Sequence, residues 1–166
     1  MDHETTYKSM NKLRQVVGLV VSLLIVFGIA ALGGFLTNLS VSSWYPSLNK
    51  PSWTPTGAAI GTIWTILYIL MGIAAWIVWR SASERRQLPL AIYAIQLLLN
   101  LGWSVLFFGL RSSGLALIEI GVLWLAILAT SVAFWKVSKL AGVLMAPYLS
   151  WVTFAGVLNA LIWNMN

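Results

Sequence analysis

The stretch GAAIGTIWTILYILMGIAAWIVW, residues 57–79, contains neither a charged residue nor a proline. A helix of this length rises far enough to cross about 30 Å of hydrocarbon. The stretch lacks the strict alternation of a barrel strand, so it reads as a transmembrane helix. Four comparable runs accompany it, at roughly Val16–Leu39, Leu88–Leu110, Leu115–Trp135 and Leu140–Trp163. Each is about 20–24 residues long, the span of one membrane crossing. Hydrophobic residues make up 60% of the 166-residue chain and charged residues 8%, more apolar surface than a soluble domain hides. The expected fold is all-α: one five-helix transmembrane bundle over 16–166, helices at about 16–39, 57–79, 88–110, 115–135 and 140–163. A disordered basic tail is expected over 1–15 and an external loop over 40–56.

The first run needs separating from a secretory signal, because Lys12 and Arg14 precede it and small residues stand at Gly28 and Ala30. It continues to Leu39, longer than a signal core, so a retained helix is expected. The net charge of +6 is distributed as a topology signal and not as a nucleic-acid surface. With five spans, Lys8, Lys12, Arg14, Arg80, Arg85, Arg86, Lys136 and Lys139 share one side, and Lys50 and Arg111 the other. This asymmetry places the N-terminus in the cytoplasm and favours a bacterial cytoplasmic membrane, with an outer membrane left open.

The chain has no cysteine, and its one histidine, His3, lies in the tail. Disulfides, thiolate chemistry and built-in His- or Cys-ligated metal or haem sites are thereby excluded. No metal site is expected, and no catalytic group identifies itself.

Ten tryptophans remain to be explained. Trp44, Trp53, Trp76, Trp79, Trp135 and Trp163 fall where an interfacial belt would put them. Trp64, Trp103, Trp124 and Trp151 fall deeper, where an indole needs a hydrogen-bond partner or a ligand face. The loop SVSSWYPSLNKPSWTPT (40–56) is stiffened by Pro46, Pro51 and Pro55 and made apolar by Trp44, Tyr45 and Trp53. It reads as an interfacial anchor or as a lid over a cavity. Thr54-Pro55 supplies an N-cap and a first-turn proline for the second helix. Small residues at Gly28, Gly33-Gly34 and 57–61 allow close helix approach, within the bundle or between protomers of a homodimer.

Helical spacing aligns Trp64, Tyr68, Met71, Ala75 and Trp79 on the second span. It aligns Gln96, Asn100, Trp103 and Phe107 on the third, and Tyr148, Trp151, Ala155 and Asn159 on the fifth. Amides in hydrocarbon must face the interior and find partners. The depths of these stripes converge beneath the aromatic loop, describing an apolar cavity with a few hydrogen-bonding groups. Trp124 has no polar stripe beside it and reads as packing. Glu119 is the one acidic residue inside a span. It reads either as an interfacial carboxylate near Arg111 or as the coupling group of a small transporter of amphipathic compounds.

The block Trp44-Tyr45-x-x-Leu48-x-Lys50-Pro51-Ser52-Trp53-Thr54-Pro55 leads into Trp64-x-x-Leu67-Tyr68-x-x-Met71-Gly72-x-x-x-Trp76. It is followed by Gln96-Leu97-x-Leu99-Asn100-x-x-Trp103-Ser104 and by Pro147-Tyr148-Leu149-x-Trp151-x-x-Phe154-Ala155-x-x-Leu158-Asn159. From Trp44 to the C-terminus the sequence closely resembles the tryptophan-rich sensory protein/translocator protein family, also called the peripheral-type benzodiazepine receptor family.

The resemblance implies a five-helix bundle, often dimeric, that binds porphyrins and other tetrapyrroles such as protoporphyrin IX or haem, and in some members sterols. By motif position it implies a pocket of Tyr45, Trp53, Trp64, Asn100, Trp103, Trp151 and Ala155, to which the stripe on the second span adds Tyr68. It further implies that light-dependent degradation of bound porphyrin depends on Trp64 and Trp151, the nearest thing to catalytic residues in the chain. The stretch matching the family's C-terminal sterol motif, Leu158-Asn159-Ala160-Leu161-Ile162-Trp163-Asn164, carries neither the tyrosine nor the base. The remaining formal match, Val41…Tyr45…Lys50, overlaps the loop block. A bacterial, tetrapyrrole-related receptor or sensor is the expectation, one that promotes photo-oxidative degradation of the bound pigment or regulates tetrapyrrole and stress responses.

Overall fold

The computed structural model describes residues 11–81 and 86–166. Lys8, His3, Arg85, most of the N-terminal tail and the middle of the 80–87 connection lie outside the described residues. Among those described the secondary structure is helical throughout, with no strand. The helices are α1 (Lys12–Asn38), α2 (Gly57–Arg80), α3 (Gln87–Ser104, continued by a π-turn over Val105–Gly109), α4 (Ser113–Val137) and α5 (Lys139–Met165). All five spans are long and apolar enough to cross a membrane. The chain is an integral multi-pass membrane protein.

Several helix ends differ from the sequence expectation by up to four residues, the largest at the start of α1; α2 starts at Gly57 as expected but with a different cap. Lys12 to Gln15, assigned to the tail, form the first turn of α1, because the Asn11 side chain accepts the Leu13 N–H and caps it at 3.2 Å. The cap of α2 is Thr56 and not Thr54: its hydroxyl accepts the Ala59 N–H at 3.3 Å. Thr54 instead donates its hydroxyl to the Pro51 carbonyl at 2.7 Å, turning the loop before the helix begins.

The helices close a ring in the order α1–α2–α5–α4–α3, with α3 returning to α1. Consecutive spans run in opposite directions. Lys12, Arg14, Arg80, Arg86, Lys136 and Lys139 therefore gather at one end, and Lys50 and Arg111 at the other, called here the loop end. The core between the helices is built from Leu67, Met71, Ala74, Leu123, Ile127, Met145 and Val152. From α1, Val26 is buried in it and Ile29 and Ala30 pack against it, while much of the helix presents apolar side chains outward. In lipid those exposed residues are solvated and carry no penalty.

Three tryptophans assigned to an interfacial belt also seat on glycines of a neighbouring helix. A Cβ added at Gly18 would run into the ring of Trp79, and one at Gly114 would lie 2.9 Å from Nε1 of Trp163. A Cβ at Gly142 would meet the backbone Cα of Trp135 at 2.9 Å. By contrast, Gly28, Gly34, Gly57 and Gly61 have nothing within 4 Å of such a Cβ, so they mediate no close approach inside the bundle. The α1–α2 contact is made by Gly72 against Leu23 and Val26. Because backbone cannot move aside as a side chain can, Gly142→Ala is expected to destabilise the α4–α5 hairpin by about 1–3 kcal/mol. Thermal unfolding in detergent checks this; an unchanged midpoint would contradict the packing described.

Candidate functional site: a roofed apolar cavity

At the loop end the helices enclose a cavity of about 550 Å³. That size lies within the roughly 300–1,000 Å³ typical of small-molecule sites. Its wall takes Trp64 and Tyr68 from α2, Asn100, Trp103 and Phe107 from α3, and Trp151, Ala155 and Asn159 from α5. Tyr45 roofs it from the loop. Seven of the eight residues expected at the site (Tyr45, Trp64, Tyr68, Asn100, Trp103, Trp151 and Ala155) are thus brought together. Trp53 is not part of the wall. Its ring packs on Phe154 at 5.6 Å, which itself stacks on Trp151 at 5.1 Å, so Trp53 stands one ring behind the cavity.

The roof is fixed by chemistry in the loop and in the π-turn. The turn carries the Leu110 N–H to the Val105 carbonyl at 2.8 Å and buries two successive phenylalanines, Phe107 and Phe108. The Tyr45 ring rests against both, at 6.3 and 5.8 Å between centroids. Lys50 donates from Nζ to the carbonyls of Tyr45 and Leu48, each at 2.7 Å, and lies 4.7 Å over the Tyr45 ring. Asn49 and Asn166 exchange hydrogen bonds at 2.9 and 3.0 Å, tying the loop to the end of α5. Ser40 donates to the Phe108 carbonyl at 2.6 Å and accepts from Arg111 Nε at 3.1 Å. Arg111 holds a left-handed backbone (φ 53°) between α3 and α4. A loop tied in this way to the end of α3, to the α3–α4 connection and to the end of α5 is a cover.

Below the roof the polar groups divide into those already spent and those still free. Tyr68 donates its hydroxyl to Asn100 Oδ1 at 2.7 Å. Asn100 Nδ2 and Gln96 Nε2 both donate to the Tyr148 hydroxyl, at 2.9 and 3.0 Å. This buried chain joins α2, α3 and α5 at the cavity floor and leaves Asn100 one further position on each amide group. Trp103 Nε1 donates to Asn159 Oδ1 at 3.1 Å, and Asn159 Nδ2 to the Ser113 carbonyl at 2.8 Å. Trp124 also spends its indole N–H, on Thr153 at 2.8 Å across α4 and α5.

The two remaining deep tryptophans differ. Trp64 makes no hydrogen bond to a described residue, and Trp151 Nε1 is buried without a partner among them. Trp64 packs its ring on Tyr68 at 5.5 Å and on Tyr148 at 6.0 Å. The Tyr45 hydroxyl and the side chains of Ser104 and Asn38, which also line the cavity, have no partner among the described residues. Burial pushes the Tyr45 hydroxyl above the ordinary tyrosine value, so it stays protonated and able to donate at physiological pH.

Sequence reasoning placed no residue of the first helix at the site. The structure puts Phe27, Ala30, Gly33, Gly34, Thr37 and Asn38 of α1 in the wall. Their one signal was the small pair Gly33-Gly34, read there as helix packing. Glu119 lies outside the wall. Both of its carboxylate oxygens are buried without a partner among the described residues, and Oε1 faces Gly102 of α3. Arg111 turns instead to Ser40, so the expected Glu119–Arg111 proximity yields no ion pair.

A five-span helical bundle with a loop-roofed, aromatic cavity at one end defines a class: a multi-pass helical membrane protein. Residues 20–164 match the TspO/MBR family, and the chain belongs to that family. It is 41% identical over 145 residues to the translocator protein of Sus scrofa, covering 83% of this chain and 86% of that protein. It is 40% identical over 159 residues to the tryptophan-rich protein TspO of Chlorobaculum tepidum, covering 95% and 99%. Protein CrtK of Rhodobacter capsulatus is 42% identical over 129 residues, covering 76% and 81%. Family membership carries with it a membrane sensor or receptor role.

Proposed function

We propose that this protein is a membrane receptor for porphyrins and related tetrapyrroles, which it holds in the cavity beneath the 40–56 loop. One observation supports this reading above the others. Of the four deep tryptophans, Trp103 and Trp124 spend their N–H groups on neighbouring helices, while Trp64 and Trp151, both in the cavity wall, keep theirs. Two indoles in an apolar chamber suit a large flat ring. Tyr45, Ser104 and Asn38 supply hydrogen bonds to its polar edge. Light-driven oxidation of the bound pigment by dioxygen accompanies binding, with Trp64 and Trp151 beside the macrocycle.

The chain has no cysteine and a single histidine, His3, and this reading assigns binding to stacking and hydrogen bonds without calling on an axial metal bond. Metal-free protoporphyrin IX is therefore expected to bind within about threefold of haem, in the range of non-covalent stacking differences. Parallel fluorescence titrations check this, and an affinity that requires iron would count against the reading. In the same samples, Trp64→Phe and Trp151→Phe are expected to slow the light-dependent loss of pigment.

A second reading, coupled transport of amphipathic compounds, draws on Glu119, whose carboxylate oxygens are buried inside a span without a partner among the described residues. Proteoliposome flux in Glu119→Gln tests it: proton-coupled flux abolished by the substitution would favour transport over reception. The receptor reading also takes the protein as a homodimer in the bacterial cytoplasmic membrane, N-terminus inside. Labelling of Ser47→Cys by a membrane-impermeant maleimide tests that orientation, and bilayer cross-linking tests the dimer.

A further inference from the structure

The cavity wall is incomplete on one side. At the end away from the loop, α1 and α2 are clamped together. Trp76 Nε1 donates to the Gln15 carbonyl at 2.9 Å, Ser22 donates to the Gly72 carbonyl at 2.7 Å, and Leu23 and Val26 pack on Gly72. Toward the loop end the helices part. Gly34, one turn from the end of α1, and Gly57 and Gly61, in the first turns of α2, have nothing within 4 Å of a built Cβ. All three glycines are exposed, and so are Phe27 and Thr65, yet all five line the cavity. Residues that face both the chamber and the outside of the bundle, at a depth inside both spans, mark an opening onto lipid and not onto water. The roof above is fastened at Lys50, Asn49 and Ser40.

We propose that ligand enters and leaves the cavity sideways, through the cleft between the loop-end halves of α1 and α2, directly from the bilayer. The ligand class is then a flat amphiphile dissolved in the membrane, its apolar edge passing between glycines that offer no side chain to displace. Thr65 spends its hydroxyl on the Gly61 carbonyl at 2.9 Å, which leaves the α2 lip apolar. Asn38, without a side-chain partner among the described residues, meets the ligand's polar edge at the loop end of α1. This route rests on the receptor reading above, since it leads to the same chamber.

The chain has no cysteine, so an introduced pair is labelled alone. Gly34→Cys with Gly61→Cys, bridged by a reductant-cleavable bis-maleimide, spans the cleft, and the open space at both positions lets the variant fold. Asn49→Cys with Asn166→Cys, bridged in the same way, locks the roof to α5 as the control. Protoporphyrin IX preloaded in vesicles is mixed with each protein in liposomes, and quenching is followed by stopped flow. Bridging the cleft is expected to slow association and dissociation together by at least tenfold, with recovery on reduction, while locking the roof changes neither. Unchanged rates across the bridged cleft, or slowing only with the locked roof, would overturn the lateral route. No saturable binding in the unbridged protein would instead overturn the receptor reading and the route with it.

Discussion

Ala155→Phe is expected to raise the dissociation constant for protoporphyrin IX by at least about a hundredfold, equivalent to about 3 kcal/mol. Ala155 lines the cavity one helical turn beyond Trp151, with Asn159 a turn further on. A phenyl ring there occupies the volume that the macrocycle needs, and the surrounding wall is too aromatic to yield. Its neighbours Trp151 and Phe154 are stacked on each other, and Phe154 is backed by Trp53. Ala155→Gly, which adds no volume, is expected to bind nearly as the wild type does. Fluorescence titration of both variants makes the check, with circular dichroism confirming the helices. An unchanged affinity in the phenylalanine variant would show that the ligand sits elsewhere.

Tyr148→Phe is expected to cost folding stability. The Tyr148 hydroxyl is buried and accepts two hydrogen bonds, from Asn100 Nδ2 and Gln96 Nε2. Removing it leaves both amide donors without that partner in the buried floor of the cavity, and one of the α3–α5 ties is lost. Interhelical hydrogen bonds in membranes contribute about 0.6–2 kcal/mol each, so the expected loss is about 1–4 kcal/mol. A lowered unfolding midpoint in detergent is the predicted result. Reduced affinity at an unchanged midpoint would instead assign the Tyr148–Asn100 pair to ligand contact alone.

The fold was legible because lipid imposes one rule: every backbone group in a span must be satisfied within it, and only apolar helices of fixed length comply. Hydropathy thus located all five spans. Their exact ends depended on caps, and Asn11 and Thr56 carry the same chemistry as other candidates nearby, so the cap of α2 was misplaced and helix ends moved by up to four residues. The convergence of Trp64, Asn100, Trp103, Trp151 and Ala155 was legible from helical spacing and depth, since polar groups in hydrocarbon must turn inward.

Three things were not legible. Which indoles are free depends on partners from other helices: Asn159 for Trp103 and Thr153 for Trp124. No single-helix pattern shows such pairs. The position of Trp53, one ring behind the wall, depends on where the loop folds over Phe154. The share of α1 in the cavity depends on the angle at which it leaves α2, set by glycines of two kinds that look alike in sequence. Gly18 and Gly72 admit a neighbour, while Gly34 and Gly61 face open space.

The central claim is that Trp64 and Trp151 form the two aromatic walls of a porphyrin site. Quenching of intrinsic tryptophan fluorescence by protoporphyrin IX, in wild type and in the Trp64→Phe/Trp151→Phe double variant, tests it most directly. Saturable quenching at equimolar pigment in the wild type, with affinity lowered at least about tenfold in the double variant, is the predicted result. Quenching that rises without saturation, scales with the amount of lipid and is equal in both proteins would contradict it, because it would report pigment in the bilayer and none in the cavity.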